Sequence, residues 1–284
     1  MSIDLNAAER FMFENARLLD RHRTAVLLHD SPIEPVLAAV RAYRNPDGGF
    51  GHGLEPDVRG PFSEPVSTLD ALEVLVEIGS RDDAMIDDAV AWLSSIAFDD
   101  GSITMAMPTA AGFPHAPWMV PSEGGSHLTF MLAAALAEAG VSDPWLDLAC
   151  AWCWERIESE QGLSGYWIKA GIGFLDSAED GDRAMQAIRG LGERLDPDGS
   201  IPVPGGVEDE RLRPLTLSPR PGLRSRCLFT QSQVDAELDA IEHGQQADGG
   251  WAFDFLAWCP GQELDWRGSV TLGALRTLRL HGRI

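Results

Sequence analysis

The pattern that most constrains this chain is a short glycine turn that recurs between amphipathic stretches: "NPDGGF" (45–50), "FDDGSI" (98–103), "GLSGYW" (162–167), "DPDGSI" (196–201) and "QADGGW" (246–251). In such a turn an Asp carboxylate accepts hydrogen bonds from turn amides, glycine permits positive φ after a helix end, and the aromatic packs back between neighbours. Between the turns apolar residues recur at i, i+3, i+4 and i+7. This predicts helices over 5–21, 32–44, 65–79, 83–97, 125–139, 143–159, 164–176, 179–195, 228–245 and 266–281. Pro32 after Ser31, and Ser142 or Asp143 before Trp145, read as helix starts. Strand signals are nearly absent.

The helices after two of the turns also repeat. "VSTLDALEVLVEIG" (66–79) and "SVTLGALRTLRLHG" (269–282) share a Thr-Leu-x-Ala-Leu start about twenty residues after their glycines. A unit of helix, turn, loop and helix cannot bury its apolar face alone, so neighbouring units must stack. About five or six such hairpins that curve round close into an α/α toroid. The expectation is an all-α chain forming a single α/α-toroid domain over 1–284, with one set of helices lining a central cavity. With 284 residues, 44% of them hydrophobic, the chain is long enough to bury a sizeable core.

A formal charge of -22 argues against nucleic acid as a partner, because a polyanion is repelled by most of such a surface. The N-terminal stretch has scattered charges and no apolar leader core, and the longest apolar run, "FMLAAALAEAG", is too short to span a bilayer. A soluble cytoplasmic protein without stable membrane insertion is expected. The sequence sets no oligomeric state. The cysteines at 150, 153, 227 and 259 are too few for a disulfide framework, and "CAWC" sits in an apolar helix with no second pair nearby, so it reads as core packing. No metal site is expected.

"QQADGGW" (245–251) and "QGLSGYW" (161–167) resemble the Q-x-x-x-G-x-W repeat of squalene-hopene cyclases and related class II terpene cyclases. "DGGFGHGLEPDVR" (47–59) is similar to the D-G-S-F…H…G-E-x-D-x-R segment of protein prenyltransferase β subunits. The resemblance is therefore to the terpene cyclase and prenyltransferase toroid superfamily, over the repeat framework from about residue 30 onward. It implies an isoprenoid substrate, with Arg59 and Asp57 bordering its pocket. The departures are specific. "ELDWRGSVTL" has Gly268 and Ser269 where the prenyltransferases need a zinc-binding His. No D-x-D-D acid tetrad is present, and "DDAMID" (82–87) has one residue too many for D-D-x-x-D, reading instead as a capped helix start.

Four ionisable groups, His52, Glu55, Asp57 and Arg59, fall within eight residues of the first loop, a density no turn requires. With Asp254 they supply the candidate acids and bases: Asp57, Glu55, His52 and Asp254. The candidate substrate-binding residues are Arg59 and Phe50 beside them, the loop or helix-start aromatics Trp118, Phe255, Trp258 and Trp266, and Asp265. Asp57 and Asp265 each precede an Arg by two residues, which predicts two matching pairs at one rim. Arg220, Arg224 and Arg226 stand in the Pro-rich segment 211–226, expected to be a mobile loop, and guanidinium forks suit a diphosphate. Magnesium would enter only with such a diphosphate, and no other cofactor is expected. The partner expected is a small hydrophobic substrate, such as a prenyl diphosphate. The functional expectation is a terpene-cyclase-like enzyme with acid or base chemistry at the rim. A carbohydrate-active α/α-barrel hydrolase or lyase, and a non-catalytic toroid binding a lipid or partner, stand as alternatives.

Overall fold

A computed structural model describes residues 3–80, 82–159 and 163–284. The protein is all-α: 56% of the described residues are helical, and the strand structure among them is one two-residue antiparallel pair with two isolated bridges. The chain divides into two compact units, one over 37–187 and one over 1–36 with 188–284. No helix of the described residues is long and apolar enough to cross a membrane.

In the unit over 37–187, α3 (Glu34–Arg41) leads in and α4 (Pro65–Glu77), α5 (Asp83–Ile96), α6 (Leu128–Glu138), α7 (Pro144–Glu158) and α8 (Tyr166–Ser177) follow, with α9 (Gly181–Gly192) leading out. Helix α6 packs between α4 and α8, with α5 against α4 and α7 against both α6 and α8. The sequence dictates that order. "LTFMLAAALAE" is apolar on almost every side and must be enclosed, whereas α9 has a single apolar stripe. Asp82 caps α5 through the Met85 amide, and Asp143 caps α7 through Trp145 ahead of Pro144 in the first turn.

The other unit holds α1 (Leu5–Asn15), α2 (Leu18–His29), β1 (Ile201–Pro202), β2 (Arg211–Leu212), α10 (Pro214–Leu217), α11 (Gln231–His243) and α12 (Pro260–Leu280). Helix α12 packs on α1, α2 and α11, and Phe11, Met12, Ala16 and Leu272 form a buried cluster there. The helix expected over 5–21 is two helices. Ala16 and Arg17 adopt extended backbone because Ala16 packs against Gly268 of α12 and Arg17 donates to Ser269 Oγ (3.1 Å) and to the wholly buried Asp20 (2.7 Å). Tertiary contact overrides helical propensity here. Helix α3 starts after Pro32, at Glu34. Helix α12 starts at Pro260, six residues before the predicted 266, so Asp265 and Trp266 are helical. The segment expected to be a mobile loop, 211–226, contains β2, α10 and the start of a 3-10 turn at Arg224–Leu228.

The four Asp-Gly turns are alike in detail. In each, the N–H of Asn45, Phe98, Asp196 or Gln246 donates to the carbonyl four residues on. The amide of Gly48, Gly101, Gly199 or Gly249 donates back to the carbonyl three residues before it, all at 2.8–3.1 Å. The Asp Oδ1 accepts the amide two residues later, at 3.1, 3.0, 2.9 and 3.1 Å in chain order. In three copies the aromatic or aliphatic residue that follows, Phe50, Ile103 or Trp251, donates its N–H to a threonine hydroxyl of the next long helix: Thr68 (3.1 Å), Thr129 (2.9 Å) and Thr271 (2.9 Å). All three threonines are completely buried. The copy at 196–201 departs after the turn, where Ile201 enters β1 and pairs with Leu212.

In these three copies the glycine lies against another helix: Gly48 on α5 at Asp88, Gly101 on α7 at Leu148 and Ala149, and Gly249 on α1 at Ala7. Gly249 has φ 94°, and a Cβ there would collide with the Ala7 carbonyl, so only glycine fits. The N-terminal helix α1 thus takes, in the last repeat, the place that α5 and α7 take in the first two. "GLSGYW" departs from these turns. Gln161 and Gly162 lie outside the described residues, while Gly165 (φ 48°) is the N-cap of α8 and Trp167 lies within that helix.

Candidate functional site

After the first turn the chain runs 51–60 alongside 113–119. Arg59 N–H donates to the Pro114 carbonyl (3.0 Å), Ala116 N–H donates to the Asp57 carbonyl (2.8 Å), and Val58 bridges His115. Leu54, Val58, Ala116 and Met119 are buried. The loop owes its fixed shape to those apolar residues and to main-chain bonds. Its buried acids add side-chain bonds to that frame, within the loop and across to 113–119.

Three carboxylates are almost excluded from water there: Glu55 (4% exposed), Asp57 (3%) and Glu64 (2%). Glu55 accepts the Asp57 amide, and its own N–H donates to Ser67 Oγ (3.4 Å). Asp57 Oδ2 accepts the indole N–H of Trp118 at 2.9 Å, bringing together two residues 61 apart in the chain. Trp118 is 39% exposed, so one edge of its ring holds the buried acid while the rest meets solvent. Glu64 stands immediately before Pro65 at the start of α4. Its N–H donates to the Phe50 carbonyl (2.8 Å), and its carboxylate accepts the Met107 amide (2.8 Å). Burial pushes the Glu64 carboxyl up to about 7, against the opposing pull of the Met107 amide, the Thr109 hydroxyl and the His115 charge. A carboxyl poised near neutrality can hold or release a proton under ordinary conditions.

His52, at the start of the first loop's charged run, is exposed, in the left-handed region (φ 58°), with Nε2 3.0 Å from Asn45 Oδ1, so its ring serves the turn. Arg59 is half-buried. Phe50 is wholly enclosed in the core, where it anchors the turn. In the other unit, Phe255 packs on Phe253 (4.5 Å between centroids) and edge-on to Trp266 (4.9 Å), with Asp254 exposed and Trp258 and Asp265 half-buried. Arg226 donates to the Ser218 carbonyl (2.8 Å) and lies 3.2 Å from His281 Nε2, while Arg220 and Arg224 are half-buried.

The expected match between the Asp57–Arg59 and Asp265–Arg267 pairs is corrected by the threonine register. Counting back from Thr68 and Thr271, Arg267 corresponds to Glu64, and Asp265 corresponds to Phe62. Arg267 donates to both oxygens of Asp248, the turn aspartate (2.8 and 3.0 Å), and its Nε reaches the Trp251 carbonyl at 3.5 Å. In the first copy the carbonyl at that place, of Phe50, is met by the Glu64 amide. Sequence reasoning passed over Glu64, although a signal was present: an acid directly before Pro65 and an apolar helix, at the position where the last repeat has Arg.

Among the described residues no group of three His, Cys, Asp or Glu side chains is placed to hold a metal ion. Gly268 and Ser269 lie against Ala16 and Arg17. Cys150 and Cys153 lie in α7, Cys153 fully buried, and burial raises both thiols above their ordinary value. No protein-family model matches the chain, and no curated protein matches it.

Proposed function

We propose that this protein is an enzyme of terpene cyclase type, whose helical hairpins close into a toroid and whose first turn carries the working acids. The observation that carries the reading is the difference between the repeats. Three turns share one hydrogen-bond pattern and one buried threonine, which is scaffold, but only the first is followed by buried Glu55, Asp57 and Glu64 beside a half-exposed tryptophan. The repeat architecture is supported by α1, which packs on the turn at 246–251 as α5 and α7 pack on theirs. In this reading Trp118 and Arg59 meet the isoprenoid, Asp57 behind the indole stabilises positive charge developing on it, and Glu64 sets the protonation of the cluster.

The test is a mass-spectrometric screen of the purified protein for bound ligand and for turnover with linear prenyl diphosphates, with and without magnesium, beside Asp57→Asn. The expected result is a bound or converted isoprenoid in wild type and its loss in the variant. Neither binding nor product with any prenyl diphosphate would overturn the proposal.

A polar substrate is favoured instead by the charge on the solvent-reaching parts of α4, α6 and α8, which carry Asp70, Glu73, Glu77, Glu138 and Asp176. Carboxylates of this density suit a hydroxyl-rich ligand better than a prenyl chain, and Trp118 then stacks on a sugar ring. Soluble oligosaccharides in the same screen separate the two readings.

A further inference from the structure

The connection from a turn to its buried threonine spans 18 residues in the first repeat and 20 in the last, but 26 in the second. The extra length forms a loop over 105–121 whose ends are pinned to each other. Ser122 N–H donates to Thr104 Oγ1 (3.0 Å), and Met105 N–H donates to Ser122 Oγ (3.2 Å). A surface loop with closed ends, stiffened by the 3-10 turn at Pro108–Gly112, can move as one piece about its base.

Beyond that base the loop lies on the acid-bearing segment 51–64. Main-chain bonds join 57 and 59 to 116 and 114, the Trp118 indole donates to Asp57 (2.9 Å), and the Met107 amide donates to Glu64 (2.8 Å). The buried apolar side chains of the loop are Ala106, Ala110, Ala116 and Met119, three of them a single methyl, so apolar contact holds it only weakly. Its side-chain fastenings to 51–64 are therefore carboxylates, and those belong to the segment beneath.

The ionisable groups on the segments that meet there are His52, Glu55, Asp57 and Arg59 on 51–60, His115 on the loop and Asp70 on α4. The charge that acts on Glu64 is that of His115, and burial outweighs it, raising the carboxyl to about 7. With the loop lifted, water reaches Glu64 and its ordinary value near 4.5 returns. The folded value is the higher one, so the closed state is favoured most below the ordinary value and loses ground as pH rises to about 7. Above that both states are ionised and the dependence ends.

We propose that 105–121 is a lid over Glu55 and Asp57, hinged at Thr104 and Ser122, which ionisation of Glu64 releases. Lifting it takes the Trp118 indole off the Asp57 carboxylate and opens the buried acids to a ligand, and closing it shuts water out again. The lid covers the same acids as the isoprenoid reading but does not rest on it. Its test contains no prenyl compound, so each fails separately.

The test is amide exchange of the full chain, mapped by peptide at mildly acidic and mildly alkaline pH, with each rate divided by that of the same sequence unstructured. Amides of 105–119 are expected to exchange faster than those of α6 in both conditions, because the lid opens without unfolding that helix. In wild type their protection should fall about tenfold between about pH 6 and about pH 8, as follows from carboxyl values of about 7 closed and 4.5 open. Glu64→Gln should keep it level. Thr109→Val alters an exposed residue whose hydroxyl favours the ionised carboxylate, so the fall should move to higher pH, and this variant decides the matter even if the glutamine variant does not fold. Protection independent of pH in wild type, an equal fall in Glu64→Gln, an unmoved fall in Thr109→Val, or lid amides that exchange only together with α6 would each overturn the proposal.

Discussion

At the scale of single residues, Glu64 makes the sharpest claim. Its carboxyl is raised by burial to about 7 from an ordinary value near 4.5, so the folded state binds this proton more tightly than the unfolded chain does. Stability from that proton is full below the ordinary value and is lost as pH rises through about 7, amounting to about 3 kcal/mol across the interval. Glu64→Gln keeps an acceptor for the Met107 amide and removes the titration. Urea unfolding at acidic and at mildly alkaline pH should show wild type losing stability across that window and the variant losing much less. An equal loss in both would place the titration elsewhere. Trp118 makes a separate claim, because its indole N–H donates to the buried Asp57 Oδ2. Trp118→Phe keeps an aromatic ring but leaves the carboxylate short of a donor, at a cost of about 1–3 kcal/mol, readable as a fall in the urea midpoint.

At the scale of elements, the protein reuses one device, a glycine turn whose following amide is received by a buried threonine of the next long helix. Thr271→Val is nearly isosteric and strands the buried Trp251 N–H, so about 1–3 kcal/mol of stability should go. Thr129→Val should do the same to Ile103, whose carbonyl is also held by Ser126. Denaturant unfolding of both variants checks this, and a neutral effect at both would reduce the shared threonine to coincidence. The "DGG" and "DGS" strings and the Thr-Leu-x-Ala-Leu start were legible in sequence because each is local and tied to a backbone need. The break between α1 and α2 was not. Residues 15–17 include no Gly or Pro, and the extended backbone there is imposed by Gly268 and Ser269, 252 residues away. The α12 start was missed for a related reason: "GQELDW" lacks a clean apolar stripe, yet Gln262 is wholly buried.

At the scale of the whole molecule, α1 ties the beginning of the chain to its last repeat, with Gly249 pressed on Ala7 and Gly250 on the Phe11 ring. Gly249→Val forces a β-branched residue into a left-handed turn against the α1 backbone. Limited proteolysis should then release the N-terminal segment early, while wild type resists. Equal cleavage patterns would show that α1 is held by other contacts. By itself the sequence determined the helical class, the turns and the acid-rich first loop, because periodicity, glycine conformation and charge density act over a few residues. Only the tertiary structure decided that Trp118 caps Asp57, that Glu64 is buried enough to titrate near neutrality, and that Arg267 holds a turn aspartate instead of mirroring Arg59. Those outcomes depend on desolvation and on partners distant in the chain, quantities that no local pattern of residues encodes.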